Sequence, residues 1–303
     1  MRRFFIACAL ALIAGAPAHA QQKVEPLEGV SADQYVRTWP ALKTCVAQVA
    51  ADPQAARRCA DELIRTGSTA AGAGNLKAQL LREQGDLEGA AAAIEPAIKL
   101  EPNQDLHYYQ SGQITLSKVK QTSNPLSQWR LASSANDAFD KAFQINPRGY
   151  PYRRHIAVSK LQAPVIAGGD KVGALALANE GIGMGINECY ILRGYANIIF
   201  KKPADAFVDY DRAIGLGVYD NTLFIKAART AVESQDFTHA EKYFQYVAEK
   251  NPSSARSHFL LGEYYAGRGD ATRAVPAFEA ALKIDPNYRA AADQLARLRS
   301  QSR

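Results

Sequence analysis

The sequence predicts an all-α chain, an α-solenoid of stacked antiparallel helical hairpins. Three observations carry this. A period of 34 residues repeats a small residue, a second small residue, an aromatic or aliphatic residue, a third small residue and a proline, at positions 8, 20, 24, 27 and 32 of each frame, the proline alone being lost in the frame from Asn187, where Val218 stands. Three of these frames run on without a gap. The unit ends KLEPN, QINPR, EKNPS and KIDPN share a proline, which blocks continuation of a helix.

In chain order, residues 1–20 read MRRFFIACALALIAGAPAHA: two arginines, an apolar run from Phe4 to Ala16 and a small-residue exit at Ala18-His19-Ala20. This is the pattern of a secretory signal peptide cleaved after Ala20. The run is about 13 residues, short of the roughly 20 that span a bilayer. The mature chain is therefore expected to begin at Gln21, to be periplasmic or secreted, and to insert into no membrane after cleavage. Cys8 sits too far inside the run to be a lipidation site.

Residues 21–70 form an N-terminal helical region with a degenerate frame over 37–70, which keeps Ala56 and Ala60 at positions 20 and 24. Cys45 and Cys59 stand symmetrically about Asp52 and would face each other across a helical hairpin, so a disulfide is expected there, leaving Cys189 over. Their frame positions, 9 and 23, lie off the centre of the helix contact, and two separate thiols stay open as the alternative. Residues 71–149 hold two frames. Ala78, Ala90, Ile94, Ala97 and Pro102 mark the first; Gly112, Ala135, Phe139, Ala142 and Pro147 mark the second, which carries an 11-residue insertion around KQTSNPLSQWRL. The insertion reads as a loop on one face, and its Trp129, near a helix start, reads as packed.

Residues 150–186 form a second degenerate frame, with Ala174 and Ala178 in place and a break near Pro164. Gly181, Gly183 and Gly185 read as a loop and not as a nucleotide-binding turn, because no strand pattern precedes them. Residues 187–288 hold three contiguous frames: Gly194, Ala206, Tyr210 and Ala213, then Ala228, Ala240, Phe244, Val247 and Pro252, then Gly262, Ala274, Phe278, Ala281 and Pro286. Residues 289–303, with Leu295 and Leu298 on one side, read as a C-terminal capping helix. The tripeptide Arg268-Gly269-Asp270 resembles an adhesion signal, yet Gly269-Asp270 occupies the turn between the two helices of its frame, as Gly85-Asp86 does in another. A glycine ending one helix and an aspartate capping the next account for it.

These frames resemble the tetratricopeptide repeat family, and the resemblance implies that the stacked hairpins wind as a right-handed superhelix. The resemblance implies a concave face lined through positions 5 and 9 of the first helices, which fall on Asn75 and Gln79, Tyr109 and Gln113, Ile191 and Tyr195, Ile225 and Arg229, and Phe259 and Glu263. The last three pairs form an apolar ladder, Ile191, Ile225 and Phe259, beside a polar line, Tyr195, Arg229 and Glu263, and are the expected partner-binding residues for a peptide or helix. The alternative left open is that the ladder packs under a neighbouring element. The family's clamp on a C-terminal carboxylate is not expected, since its positions hold Ile191, Tyr195, Lys226, Arg256 and Leu260.

No chemistry competes with this reading. His107, His155, His239 and His258 are scattered over different frames, so no metal and no cofactor is expected, and no nucleophile motif marks an enzyme. The formal charge of +6 falls to +4 without Arg2 and Arg3, which does not call for nucleic acid. The expected function is an exported protein–protein interaction module or scaffold that binds an envelope partner; the alternative is a fixed structural subunit of an envelope assembly or secretion machine.

Overall fold

The computed structural model describes residues 30–67 and 69–301, so the leader and its cleavage site lie outside the described residues. Regular structure among the described residues is entirely helical, and the chain divides near residues 159–169 into two compact units. The first unit contains α1 (Ala32–Thr38), a 3-10 turn (Pro40–Leu42), α2 (Lys43–Gln48), α3 (Pro53–Thr66), α4 (Ala70–Glu83), α5 (Leu87–Leu100), α6 (Asp105–Gln121), α7 (Pro125–Ile145) and most of α8 (Tyr150–Gln162). The second contains α9 (Lys171–Gly183), α10 (Cys189–Ile199), α11 (Pro203–Gly215), α12 (Asn221–Glu233), α13 (Phe237–Lys250), α14 (Ala255–Gly267), α15 (Ala271–Ile284) and α16 (Arg289–Gln301).

The five clear frames are the hairpins α4–α5, α6–α7, α10–α11, α12–α13 and α14–α15. In three of them the register follows from one contact, in which the glycine at position 8 lies against the ring at position 24. A Cβ added to Gly112 would stand 2.6 Å from Phe139, one on Gly194 2.9 Å from Tyr210, and one on Gly262 2.7 Å from Phe278. Such distances leave room only for hydrogen, so the aromatic ring sits on the backbone of the partner helix and the helices close up around it. At the turn, position 15 is left-handed in four frames whatever the residue: Gly85 at φ 85°, Lys201 at 61°, Gln235 at 58° and Gly269 at 74°. Position 16 then caps the second helix, Asp86 accepting from the Gly89 N–H at 2.8 Å, Asp236 from His239 at 3.1 Å and Asp270 from Arg273 at 3.0 Å. Arg268 lies over the Phe237 ring, 3.6 Å from its centroid, and Asp270 also receives Arg273 Nε, so both charged members of the tripeptide are engaged within the fold.

The insertion departs from expectation. It is not a loop: α6 has 17 residues and α7 has 21, against 11 to 14 for the helices of the other clear hairpins. Asn124 explains why, since its side chain accepts from the N–H groups of Leu126 and Ser127, each at 3.0 Å, and Pro125 takes the first helical position, where no N–H is needed. The extra residues thus lengthen both helices and leave Thr122–Asn124 as the turn. Trp129 is 61% exposed and not packed. The glycine stretch is corrected as well: Gly181 and Gly183 belong to α9, and only Gly185, at φ 76°, turns the chain.

In the degenerate first frame the structure joins Cys45 on α2 to Cys59 on α3 with a Cα–Cα distance of 5.4 Å, and Cys189 is buried elsewhere, in α10. At the other end α16 packs on α15 through the buried Ala291 and Leu295.

Candidate functional site

In the first unit the groove positions are already filled. Gly72, at position 2 of its frame, lies under the indole of Trp39; a Cβ there would stand 2.4 Å from the ring. The Tyr35 hydroxyl lies 2.6 Å from Asn75 Oδ1 and 2.8 Å from Gln79 Oε1, at positions 5 and 9. Burial raises the Tyr35 phenol well above its ordinary value, with Glu83 adding to the effect, so the hydroxyl keeps its proton and remains a donor. Asn75 Nδ2 donates to Leu106 O at 3.1 Å and meets His107 Nδ1 at 2.9 Å. Trp39 Nε1 donates to Glu101 at 3.2 Å while its ring stacks on His107, centroids 5.3 Å apart. Asn75, Gln79, His107 and Tyr35 are all buried. The N-terminal helix α1 and the Trp39 that ends it thus lie as a strap over positions 2, 5 and 9 of the first clear repeat, met by the side chains of Tyr35 and Trp39. Tyr109 and Gln113, at positions 5 and 9 of the next frame, are also taken up internally: Gln113 Nε2 donates to the Tyr109 hydroxyl at 2.8 Å and lies 2.8 Å from His155 Nε2.

In the second unit the same positions divide. Ile191, Tyr195 and Ile225 are buried, so the predicted apolar ladder is core over two of its three rungs. Tyr195 is fixed by Gln162 Nε2, which donates to its hydroxyl at 2.9 Å, and its ring carries Lys226 Nζ 5.2 Å from the centroid. Arg229 and Glu263 are exposed, and Phe259 is half-buried with its ring 5.2 Å from Tyr288 and 5.7 Å from Phe278. Burial raises the Glu263 carboxyl while Arg229 pulls it down, and Arg256 lowers the Tyr288 phenol against a larger rise from burial. The accessible face is therefore a small aromatic floor, Phe259 and Tyr288, edged by Arg229, Arg256 and Glu263.

A family model described as tetratricopeptide repeat matches residues 45–110 and 225–289. Those two stretches are tetratricopeptide repeats. Among solved structures the chain is similar to a human IFIT1 dimer with m7Gppp-AAAA (17% identity, TM-score 0.52), over 86% of this chain and 58% of that one, so it spans less than two thirds of its length. It is also similar to PilW, a widely conserved type IV pilus biogenesis factor, at 15% identity and a TM-score of 0.51, over 75% of this chain and 99% of that one. At such identities the likeness is one of fold. No curated protein matches the chain.

Two features of the fold escape the 34-residue pattern. The strap residues Tyr35 and Trp39 flank the start of the degenerate frame 37–70 and occupy none of the pattern positions, and their signal is an i, i+4 aromatic pair. Arg193 and Asp209 form a forked ion pair inside the α10–α11 hairpin, Arg193 Nη2 donating at 2.6 Å and Nε at 3.0 Å to the two carboxylate oxygens. Asp209 is buried, which makes this pair a fixture of the hairpin and not part of the open face. Among the described residues no three His, Cys, Asp or Glu side chains converge as a metal site would require, and no helix is long and apolar enough to cross a membrane.

Proposed function

We propose that the chain is an exported interaction module that holds a peptide or helix of an envelope partner on the concave face of residues 187–288. The observation that carries this is the contrast between equivalent repeat positions: those of the first clear repeat are occupied by Tyr35 and Trp39, while Arg229, Phe259 and Glu263 stay accessible to water. Ile191, Tyr195 and Ile225 serve as the rigid support beneath that face. Export rests on the leader alone, and mass spectrometry of envelope material is expected to give a first residue of Gln21; an intact Met1 on that material contradicts it. For the groove, the double variant Arg229→Glu/Phe259→Asp is expected to lose partner capture from native envelope extracts while circular dichroism and melting stay unchanged. Undiminished capture by the folded variant would place the binding face elsewhere.

A further inference from the structure

The end of the α6–α7 hairpin has a chemistry of its own. From Leu106 to Asn136 the sequence contains no aspartate or glutamate, but it contains Lys118, Lys120 and Arg130. Lys118 is paired with Glu88 at 2.8 Å, while Lys120 and Arg130 are exposed. On α7, Leu126, Trp129, Arg130 and Ser133 follow at i, i+3, i+4 and i+7 and so share one face, and all four are exposed. Leu126 is 57% and Trp129 61% accessible, large values for apolar side chains on an ordered helix. They are bare because they lie in the extra length of α7, about two turns longer than the second helices of the other hairpins. The turn between the helices offers only Thr122, Ser123 and Asn124.

An indole, an aliphatic side chain and two exposed cations match the region where lipid headgroups meet acyl chains, in which tryptophan concentrates and Lys or Arg meets phosphate, and the acid at this end, Glu88, is paired with Lys118. We propose that this hairpin end rests on an anionic lipid surface, with Trp129 and Leu126 entering the headgroup layer and Lys120 and Arg130 against the lipid phosphates. The contact is peripheral: the hairpin lies on the bilayer and does not cross it.

The test uses the full mature chain with vesicles of phosphatidylcholine alone or with phosphatidylglycerol. Sedimentation with the anionic vesicles is expected, with little on the neutral ones, and with a blue shift of tryptophan emission that is absent in Trp129→Phe. Lys120→Glu/Arg130→Glu is expected to weaken partitioning about tenfold or more, since each cation near such a surface contributes about 1 kcal/mol. Leu126→Ser/Trp129→Ser is expected to abolish it with unchanged melting. Absence of sedimentation, equal sedimentation on both vesicles, or Trp129 emission that never shifts would each overturn the proposal. Loss of protein capture by Leu126→Ser/Trp129→Ser without any vesicle binding by the parent chain would give the patch to a protein instead.

Discussion

Two repeats of this chain present the same positions to opposite ends. In the repeat of α4–α5, positions 2, 5 and 9 are Gly72, Asn75 and Gln79; in that of α14–α15 they are Arg256, Phe259 and Glu263. Glycine at position 2 admits the Trp39 ring against the backbone, and the two amides at 5 and 9 give a buried tyrosine hydroxyl its partners. Arginine at position 2 fills that space with a charge that holds water, and Glu263 is likewise a group that burial disfavours. The hairpin scaffold is common to both. Three side chains decide whether its concave face closes over the chain's own N-terminal helix or stays open to another molecule.

The contrast breaks most severely if the strap is removed. Tyr35 and Trp39 are buried, and truncating a buried aromatic typically costs about 3–5 kcal/mol. The variant Tyr35→Ala/Trp39→Ala is expected to lower the unfolding free energy by at least that order, read as a lower urea midpoint, whereas Phe259→Ala at the equivalent open repeat should cost much less. Equal losses would mean that the two faces do not differ as described. Tyr35→Phe isolates the polar part: it keeps the ring and leaves Asn75 Oδ1 and Gln79 Oε1 without their donor, at a cost of about 1–3 kcal/mol.

Next in size is the disulfide. It closes a 14-residue separation between α2 and α3, just after the strap, and a loop of that size is worth about 3 kcal/mol in the chain-entropy account. Cys45→Ala/Cys59→Ala is therefore expected to destabilise the chain by about that amount. If the bond also holds the strap in place, the variant should show Trp39 more open to acrylamide quenching before global unfolding. Unchanged quenching would separate the staple from the strap.

The open face gives a smaller effect, and in binding alone. Charge placed at Phe259 together with reversal at Arg229 is expected to weaken partner capture by about 2 kcal/mol or more, the scale of a central interface residue. The same pair of changes leaves melting unaltered if the face is free.

The period, the turn chemistry and the unit-ending prolines were legible in the sequence because each answers a local need of the backbone: close approach at position 8, a left-handed turn at 15, a cap at 16. Burial was not. Ile191, Ile225 and Phe259 look alike at position 5, yet the first two are covered and the third is half-open, which depends on what packs next to each helix. The strap was invisible for a related reason, since Tyr35 meets Asn75 and Gln79 from 40 and 44 residues away. The insertion was misread by counting alone, although Asn124 before Pro125 is a helix-start signal that points to lengthened helices.

The smallest expected effect is one of pH, read at the closed repeat. His107 lies beneath Trp39. Because Asn75 Nδ2 donates toward its Nδ1, the proton of the neutral ring sits on Nε2, which faces Glu101 Oε2 at 3.3 Å. Burial lowers the His107 pKa below its ordinary 6.5, although Glu101 and Asp105 pull it upward. In this pH range the unfolded chain therefore binds the proton more readily than the folded one. The contribution to stability is complete above 6.5 and declines as pH falls from 6.5 toward the lower folded value. A second proton would also put an N–H donor at Nδ1 against the Asn75 amide donor, which disfavours the strap's polar network. In a Trp129→Phe background, where Trp39 is the remaining tryptophan, mild acid between about pH 6.5 and 5 is expected to lower the urea midpoint and open Trp39 to quenching. His107→Gln, which cannot take up that proton, is expected to lose less stability over the same interval. Parallel losses in the two proteins would show that another group responds to acid. A Trp39 that stays protected while the midpoint falls would show that the acid response lies outside the strap.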